Sequence, residues 1–359
     1  MEEFDSRNND VKNIDQELEE IIKKQSAKIK VVGIGGGGNN SLNRMGEIGI
    51  RGGELIAMNT DAQDLLYTNA NQKILLGREL TQGLGAGSNP KVGEDAAKES
   101  TSEIKKKIGN SDMVFITCGM GGGTGTGAAP VVADIAKKLG ALTIGIITMP
   151  FTIEGQKRVE NAVLGLEKME AIVDTLIVIP NDKLLELAPD LPLHTAFKIA
   201  DEILTNAVKG ITELVTTSGL VNLDFADIKA VMSEGGVSLI GMGESDSATR
   251  AKDSVTKALT NPLLDIKIDG AKGALVNIIG GPDMNLEECK EIIKEVSDKL
   301  NPSAKMIWGS KIAKDMDKSI RVLLIITGVK SSQVLGDLES MDSIKHREIE
   351  EELGIEFIE

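Results

Sequence analysis

The chain contains 359 residues, of which 41% are apolar and 26% are charged, which is enough for two domains that each bury a hydrophobic core. Its 55 acidic residues exceed its 40 lysines and arginines and give a net charge of -15, so its surface repels nucleic acid and anionic membranes. The two cysteines and two histidines form no metal-binding pattern, and neither a signal peptide nor an apolar stretch long enough to span a membrane occurs. We therefore expect a cytoplasmic protein with no nucleic-acid partner and no direct membrane insertion.

The negative charge is concentrated at the two ends of the chain. Residues 1–27 carry eight acids and four bases, and residues 331–359 carry nine acids and two bases. These segments are predicted to be an acidic N-terminal extension and an acidic linker with a C-terminal tail. The tail contains the apolar residues Ile355, Phe357 and Ile358, which either form a binding peptide or belong to a frayed amphipathic helix.

The first half of the chain alternates strands with glycine-rich turns and helices. Apolar and β-branched runs predict six strands, at residues 29–34, 55–58, 73–76, 113–118, 142–148 and 175–179. A glycine loop at 35–40 leads into a helix through Met45, and another helix is predicted from Val92 to about Ile108. The loop at 119–127 follows the fourth strand, with Pro130 in the first turn of the next helix. This order predicts an α/β fold, a Rossmann-like parallel sheet with helices on both faces.

From Pro192 to Ser218 apolar residues recur every three or four positions, which predicts one amphipathic helix of roughly 40 Å that is closed by Gly219. A helix of this length is expected to run between two domains. Further strands are predicted at 237–242, 274–279, 305–308 and 321–327, with helices at 248–259 and 286–300. The predicted domains are 28–220, which includes the long helix at 192–218, and a smaller α+β domain at 221–330.

Two glycine-rich loops, at 33–38 and 119–127, carry the clearest chemical signal. Backbone N–H groups in such loops converge on an anion, and the following helix N-terminus adds partial positive charge, so both loops suit phosphate groups. The first loop also satisfies the GxGxxG dinucleotide pattern, which is weak on its own, and a tight strand-to-helix turn is the alternative explanation. A nicotinamide-binding fold has no use for the second loop, and neither a Gly-Lys dipeptide nor an NKxD motif occurs. The sequence therefore favours a nucleotide site without a P-loop lysine.

The segment at 121–127, GGGTGTG, resembles the signature of the tubulin and FtsZ superfamily. Six further segments resemble FtsZ in the same order along 28–330: GGGNN at 36–40, NTD at 59–61, GAGSNP at 85–90, PFTIEG at 150–155, PNDK at 180–183 and NLDFAD at 222–227. On these motifs the chain is identified as a member of the FtsZ family, of the archaeal type, the prokaryotic division-ring GTPases. The resemblance implies a tubulin/FtsZ-like GTPase domain joined by the long helix to a smaller domain for activation and polymerisation.

The resemblance also implies which residues bind GTP or GDP. The implied phosphate-binding residues are Gly36, Gly37, Gly38, Asn39 and Asn40 in the first loop and Gly123, Thr124, Gly125 and Thr126 in the second. Glu154 and Arg158 are implied to face the ribose and phosphates, although their spacing also fits a helix-surface ion pair. Asn181 and Asp201 are implied to read guanine, with Phe197 stacked on the base; without the family, Asp201 reads as a solvated helix residue.

For catalysis the resemblance implies Asn222, Asp224 and Asp227, on a loop that enters the nucleotide pocket of the next subunit and orients the attacking water. The residues alone also allow a simple helix cap, with Asp224 at the N-cap and Asp227 three positions on. Mg²⁺ is expected on phosphate oxygens and water, without protein ligands.

The implied function is a GTPase activated by self-assembly into head-to-tail filaments, which form the cytoplasmic division ring at the division site and meet a membrane-anchoring adaptor through the C-terminal tail. Two alternatives stay open: a cytoskeletal or cell-shape paralogue with little or no hydrolysis, and a Rossmann oxidoreductase.

Overall fold

The computed structural model describes residues 27–50, 52–187, 192–216, 220–221, 223–233, 235–261, 263, 271–314 and 316–329. Ten strands lie in these residues: β1 (Ile29–Ile34), β2 (Gly53–Asn59), β3 (Gln72–Leu75), β4 (Met113–Gly119), β5 (Leu142–Met149), β6 (Thr175–Pro180), β7 (Gly236–Ser245), β8 (Gly273–Gly280), β9 (Lys305–Ile312) and β10 (Ile320–Val329). They form one sheet in the order β3-β2-β1-β4-β5-β6-β7-β10-β8-β9. The first seven strands of that order are parallel, whereas β10 is antiparallel to both of its neighbours.

Twelve α-helices lie in the same residues. They are α1 (Gly35–Ile48), α2 (Ala62–Tyr67), α3 (Arg78–Thr81), α4 (Pro90–Glu99), α5 (Thr101–Ile108), α6 (Thr124–Lys138), α7 (Gln156–Ile172), α8 (Asn181–Leu187), α9 (Leu193–Thr216), α10 (Phe225–Met232), α11 (Arg250–Leu259) and α12 (Leu286–Ser297). A short 3₁₀ turn at Thr152–Glu154 precedes α7.

The predicted parallel sheet with helices on both faces is confirmed. Alternate residues of β1 face opposite sides of the sheet. Val32 and Ile34 lie in the apolar cluster beneath helices α4 to α7, and Ile29 and Val31 lie in the cluster beneath α1 and α9. A third apolar cluster lies beneath α11 and α12 in the second half of the sheet. Both faces of the sheet are therefore covered by apolar helix surfaces, as continuous Val and Ile runs require.

The structure corrects three predictions in the first half. Residues 35–40 are not a separate loop, because α1 begins at Gly35 directly after β1. Pro130 lies in the second turn of α6, because that helix already begins at Thr124 within the glycine motif.

The third correction concerns the helix predicted at 92–108, which consists of α4 and α5 with a break at Ser100. The Oγ of Ser100 accepts a 3.0 Å hydrogen bond from the N–H of Gly77, a residue far away in sequence. The break therefore depends on a contact that local periodicity does not encode.

The long helix is α9, and it contacts elements of both halves of the sheet. Its carbonyl at Gly210 accepts a 3.3 Å hydrogen bond from the Nδ2 of Asn277 on β8, and Glu213 forms a 2.9 Å ion pair with Lys311 on β9. The opposite side of α9 packs against α1. Ser218 and Gly219, predicted to close the helix, lie outside the described residues, as do the N-terminal extension and the C-terminal tail. None of the described helices is both long enough and apolar enough to cross a bilayer.

Candidate functional site

A cavity of about 950 Å³ opens where several parallel strands end. Ile34, Gly119 and Thr148 line it from the carboxyl ends of β1, β4 and β5, and Asn181 lines it just beyond β6. The sheet order changes direction between β1 and β4, and ligands of open α/β sheets bind in the crevice at this kind of switch point. The fold therefore places the predicted glycine segments at the edge where a ligand is expected.

The first turns of α1 and α6 form one wall of the cavity, with Gly36, Gly37, Thr124 and Gly125 among the lining residues. Neither helix has a side-chain hydrogen bond at its N-cap. The backbone N–H groups of a first turn lack partners within their own helix, so an uncapped pair of turns offers donors and partial positive charge to an anion. This wall suits the phosphates of a nucleotide.

Glycines of the GGGTGTG motif also allow close packing of α6. A Cβ at Gly125 would lie 2.6 Å from the carbonyl oxygen of Gly119, and one at Gly127 would lie 1.9 Å from that of Pro90. Gly121 has φ of +97°, a conformation that side chains disfavour. The GGGTGTG motif thus lines the cavity and also allows α6 to pack closely against its neighbours.

Three of the predicted binding residues lie behind the lining. A Cβ at Gly38 would meet the carbonyl of Thr117 at 2.5 Å, so this glycine lets α1 approach β4. Asn39 is fully buried and donates a 2.8 Å hydrogen bond from Nδ2 to Asp64 on α2. Thr126 accepts a 2.9 Å hydrogen bond through Oγ1 from the N–H of Gly121. In this structure the three residues shape the wall from behind.

The remaining residues of the two phosphate segments line the cavity, and these are Gly36, Gly37, Asn40, Gly123, Thr124 and Gly125. The hydroxyl of Thr124 lies 2.6 Å from that of Thr60, within the NTD segment. The next residue of that segment, Asp61, caps α2 by accepting hydrogen bonds from the N–H groups of Gln63 and Asp64 at 2.9 and 3.1 Å. Asp61 therefore acts as the N-cap of α2 in this structure.

The other end of the cavity carries the residues predicted to read the base. Asn181 is only 3% exposed, and its Oδ1 has no hydrogen-bond partner among the described residues. A buried acceptor without a partner costs free energy, which a donor on a bound ligand offsets. The ring of Phe197 remains 38% exposed and packs edge to face against Phe151, with ring centroids 5.1 Å apart. This end of the cavity therefore offers the aromatic ring of Phe197 and an acceptor without a partner, the Oδ1 of Asn181.

Asp201 lines the cavity from α9 and is half-buried, so it is not the solvated helix residue that its sequence pattern allowed. One carboxylate oxygen accepts a 2.7 Å hydrogen bond from the hydroxyl of Ser41. Burial raises the pKa of Asp201, while the Ser41 hydrogen bond and the positive charge of Arg44 act in the opposite direction. A carboxylate held in this way can accept hydrogen bonds from adjacent N–H groups of a base.

Glu154 and Arg158 both line the cavity and also form an ion pair with each other. The carboxylate of Glu154 accepts a further 2.9 Å hydrogen bond from the N–H of Phe151. The ion pair that the spacing allowed is therefore present, and both of its residues line the cavity. An arginine fixed by a carboxylate there can direct its remaining donors to phosphate.

Sequence reasoning missed several polar residues of the lining. They lie on two helices, and they are Asn43, Arg44 and Glu47 on α1 and Lys198 and Glu202 on α9. Residues three or four positions apart share a helix face, so extending the faces that carry Asn40 and Asp201 identifies Asn43, Arg44, Glu47 and Lys198. Glu202 is not identified in this way, because it directly follows Asp201 along the chain.

Asp224 and Asp227 do not line the cavity. Asp224 is the N-cap of α10, where its Oδ1 accepts a 3.4 Å hydrogen bond from the N–H of Ala226, and Asp227 accepts a 3.3 Å bond from the N–H of Asp224. The capping arrangement that the sequence allowed is therefore present, and both side chains are exposed. Asn222 lies outside the described residues.

Comparisons with known proteins agree with this architecture. Residues 28–189 match the family model of the Tubulin/FtsZ GTPase domain, and residues 236–330 match that of the FtsZ C-terminal domain. Cell division protein FtsZ 1 of Thermococcus kodakarensis is 59% identical over 91% of this chain and 87% of its own length. Cell division protein FtsZ 1 of Methanocaldococcus jannaschii is 57% identical over 88% of this chain and 87% of its own length.

Solved structures give the same result. An empty FtsZ dimer from M. jannaschii superposes with a TM-score of 0.84 at 57% identity and covers 88% of this chain and 92% of that one. A GTPγS-bound protofilament of CetZ2 from Haloferax volcanii reaches a TM-score of 0.76 at 19% identity over 89% of this chain and 99% of that one, which shows a shared fold alone. Motif order, strand order, the uncapped helix pair and these matches agree that the chain belongs to the FtsZ branch of the Tubulin/FtsZ family, the tubulin-like GTPases of cell division.

Proposed function

We propose that this protein binds GTP in the cavity at the strand ends, assembles head to tail with copies of itself, and hydrolyses GTP at the junction between two subunits. The phosphates contact the first turns of α1 and α6, where Gly36, Gly37 and Thr124 lie. When bound, Mg²⁺ would be held mainly through phosphate oxygens and water and would supply positive charge beside the backbone donors.

Guanine lies at the opposite end of the same cavity, stacked on Phe197. The carboxylate of Asp201 accepts hydrogen bonds from N1–H and the 2-amino group of guanine, a donor pair that adenine lacks. The unpartnered Oδ1 of Asn181 accepts a further hydrogen bond from the nucleotide. Glu154 and Arg158 contact the ribose and the phosphates between these two ends.

The position of Asp224 supports hydrolysis at a junction. The cavity lies at the carboxyl ends of the strands, and α9 runs from Asp201 at the cavity to Thr216, a length of roughly 22 Å at 1.5 Å per residue. Thr216 lies against Gly52, next to the amino end of β2. Asp224 follows that end of α9 along the chain, is exposed and does not line the cavity of its own chain, so its carboxylate is available to another copy.

In the assembled state Asp224 and Asp227, together with Asn222, orient the water that attacks the γ-phosphate of the neighbouring subunit. Phosphoryl transfer depends mostly on positioning and charge stabilisation, so a carboxylate delivered by a second subunit makes the monomer nearly inactive. The nucleotide is thus hydrolysed only where two subunits meet.

Exposed apolar side chains outside the cavity support such a junction. Tyr67 is 77% exposed and Leu84 is 85% exposed, on segments that follow the carboxyl ends of β2 and β3. Leu220, near the opposite end, is 65% exposed. Two different apolar surfaces at opposite ends favour a head-to-tail contact, which repeats into an open filament.

The biological role that follows is a cytoplasmic ring at the division site, linked to a membrane-anchoring adaptor by the acidic C-terminal tail. A second candidate is a cytoskeletal or cell-shape paralogue that polymerises with nucleotide and hydrolyses little or none. The presence of Asp224 and Asp227 favours the hydrolysing form.

The deciding experiment measures phosphate release from GTP and from ATP, with Mg²⁺, over a series of protein concentrations. GTP-selective turnover per subunit that rises from near zero above a threshold concentration is the expected result. Turnover per subunit that stays constant at all concentrations places catalysis within one chain and rejects the junction site. Filaments that form with GTP but release no phosphate favour the paralogue instead.

A further inference from the structure

A second cavity, of about 540 Å³, lies on the α4–α7 side of the sheet, away from the nucleotide site. Its apolar floor is formed by Pro130, Val131, Ile135, Ala171 and Ile172. Lysines surround this floor, and they are Lys98 on α4, Lys105 on α5, Lys138 on α6 and Lys168 on α7. We call this surface the lysine groove.

The groove has an excess of positive charge on a protein whose net charge is -15. Glu94 and Asp134 are its acidic lining residues, against the four lysines. Glu94 is shared between Lys98 and Lys168, and the Lys98 ammonium group lowers the pKa of its carboxyl to about 2. Lys105 has no carboxylate within ion-pairing distance in the described part of the chain. An apolar floor with a basic rim fits a peptide that combines apolar anchors with carboxylates.

The chain itself contains such a peptide. Residues 350–359, EEELGIEFIE, combine five glutamates with the apolar residues Leu353, Ile355, Phe357 and Ile358. The whole segment 331–359 has nine acids and two bases, so it carries the complementary charge. Residues 14–22, IDQELEEII, combine four acids with four apolar residues in a similar way, but Lys23 and Lys24 follow them directly, so that segment carries less negative charge than residues 350–359.

The sheet places Val329, the last described residue before this segment, near the groove. The last residue of β10, Val329, pairs with Val237 on β7, which pairs with Leu176 on β6. Two strand spacings separate Val329 from Leu176, about 10 Å. Leu176 follows Ile172 of the groove floor by four residues, because α7 ends at the edge of the sheet where β6 begins. The 20 residues between Val329 and residue 350 span roughly 25 Å as a coil and far more when extended, so the groove is well within reach.

We propose that residues 350–359 dock in the lysine groove of their own chain, with the apolar anchors on the floor and the glutamates paired with the surrounding lysines. The short connection gives the tail a millimolar effective concentration at the groove, so even a weak contact is substantially populated. Docking covers the apolar residues that a membrane-anchoring adaptor would bind, and an adaptor then has to compete with the groove for them.

The test is carbodiimide coupling of carboxylates to lysines in the full chain, followed by peptide mass spectrometry. An equimolar mixture of ¹⁴N- and ¹⁵N-labelled protein without nucleotide distinguishes coupling within one chain from coupling between chains. The expected result is coupling of tail glutamates to groove lysines in pairs of a single isotope. Lys252 and Lys290, which lie exposed on α11 and α12, are the reference lysines and are expected to couple at least about fivefold less.

A matched pair of charge reversals checks the site. We expect the double variant Lys105→Glu, Lys138→Glu to abolish coupling of the tail to Lys98 and Lys168. The control double variant Lys252→Glu, Lys290→Glu changes the net charge equally and is expected to leave that coupling intact. Lys138 is 71% exposed in a surface ion pair, so the first variant is expected to keep the thermal midpoint of the parent. Isotopically mixed pairs show a second copy as the occupant and overturn the proposal. Equal coupling at groove and reference lysines also overturns it.

Discussion

The carboxylate of Asp201 accepts a 2.7 Å hydrogen bond from the hydroxyl of Ser41, which ties the long helix α9 to α1. Burial raises the pKa of Asp201, and this hydrogen bond partly opposes the rise. Through this contact the residue proposed to read the base is fixed to the helix whose first turn is proposed to hold the phosphates.

Replacing Asp201 with Asn is expected to change nucleotide preference from GTP to XTP. Xanthine carries a carbonyl where guanine carries its 2-amino group, so the amide N–H of Asn can donate to it, whereas the lost acceptor weakens GTP binding by roughly 10- to 100-fold. Affinities for GTP and XTP measured by equilibrium titration check this. Unchanged GTP affinity in Asp201→Asn would place the guanine contact elsewhere.

The same substitution is expected to raise thermal stability at neutral pH. Burial raises the pKa of Asp201 in the folded protein above its unfolded value of about 3.9. As pH rises from the unfolded to the folded pKa, the half-buried carboxyl becomes charged, and the free energy of unfolding therefore falls. Asn avoids this cost. Thermal midpoints of the two proteins should therefore converge near pH 3 and separate by pH 7; a constant difference across this range contradicts the assignment.

Asp224 offers a way to separate capping from catalysis. Asn is as good an N-cap as Asp, so Asp224→Asn keeps α10 capped, whereas Asp224→Ala costs about 1 kcal/mol of stability. If the carboxylate acts in hydrolysis, both variants bind GTP and both lose turnover. If it acts only as a cap, Asp224→Asn retains turnover near that of the parent. Phosphate release at a concentration well above the assembly threshold distinguishes the two.

A mixing experiment tests whether Asp224 acts on another subunit. The Asp224→Asn variant keeps an intact cavity, and the Asp201→Ala variant keeps an intact α10. A junction between the cavity of an Asp224→Asn subunit and α10 of an Asp201→Ala subunit therefore contains both Asp201 and Asp224. An equimolar mixture is expected to recover about one quarter of the parent turnover, since one junction in four has this composition. Mixed samples no more active than their components would show that both residues act within one chain.

Two glycine substitutions separate folding from binding. Gly127→Ala places a Cβ 1.9 Å from the carbonyl oxygen of Pro90, and we expect a loss of at least 3 kcal/mol or failure to fold. Gly36→Ala meets no atom within 4 Å and lies in the first turn of α1, so the fold is kept while the added methyl group occupies the phosphate wall. Urea unfolding and GTP titration of both variants check this, and the reverse pattern contradicts the roles given to the two glycines.

Arg250 joins α11 to α12 through a network that should make stability depend on pH. Its guanidinium donates to Glu288 at 2.6 and 3.1 Å and to the carboxylate of Asp283 at 2.7 Å, and it holds the pKa of both carboxyls below their usual range. Carboxyls with lowered folded-state pKa values stabilise the fold above their unfolded pKa, and this contribution is lost as pH falls through the folded value.

Arg250→Met is accordingly expected to lose about 3 kcal/mol at pH 7, because Glu288 is left partly buried without its cation. The loss should shrink toward pH 3. Arg250→Lys keeps the charge but not the two-pronged geometry, and should recover only part of the loss. Denaturant unfolding from pH 3 to pH 7 measures both effects, and a deficit independent of pH would assign the role of Arg250 to packing alone.

The first six strands, the long helix and most of the glycine-rich wall of the cavity follow from the sequence, because strand runs, helical periodicity and glycine placement are local signals. The break at Ser100 and the roles of Gly38 and Asn39 do not, because each depends on a partner that the fold brings from elsewhere: Gly77, Thr117 and Asp64. A glycine that faces a ligand and a glycine that faces another backbone look identical in sequence.

The same limit applies to the cavity. Asn43, Arg44 and Glu47 were missed although they extend a predicted helix face, because the direction of that face is set only when α1 packs against α9. Asp224 and Asp227 were recognisable both as a cap and as a catalytic pair, and the structure shows the cap while leaving the carboxylates exposed. One pair of side chains can satisfy a helix end and still be free to meet a neighbour.

The uncapped first turns of α1 and α6 have a consequence for how the cavity responds to its surroundings. Backbone N–H groups do not titrate between pH 5 and 9, and they cannot be acetylated, methylated or removed by changing a side chain. Nucleotide binding along that wall should therefore follow the ionisation of the phosphates themselves, and it should be lost mainly through substitutions that add atoms rather than through those that delete them.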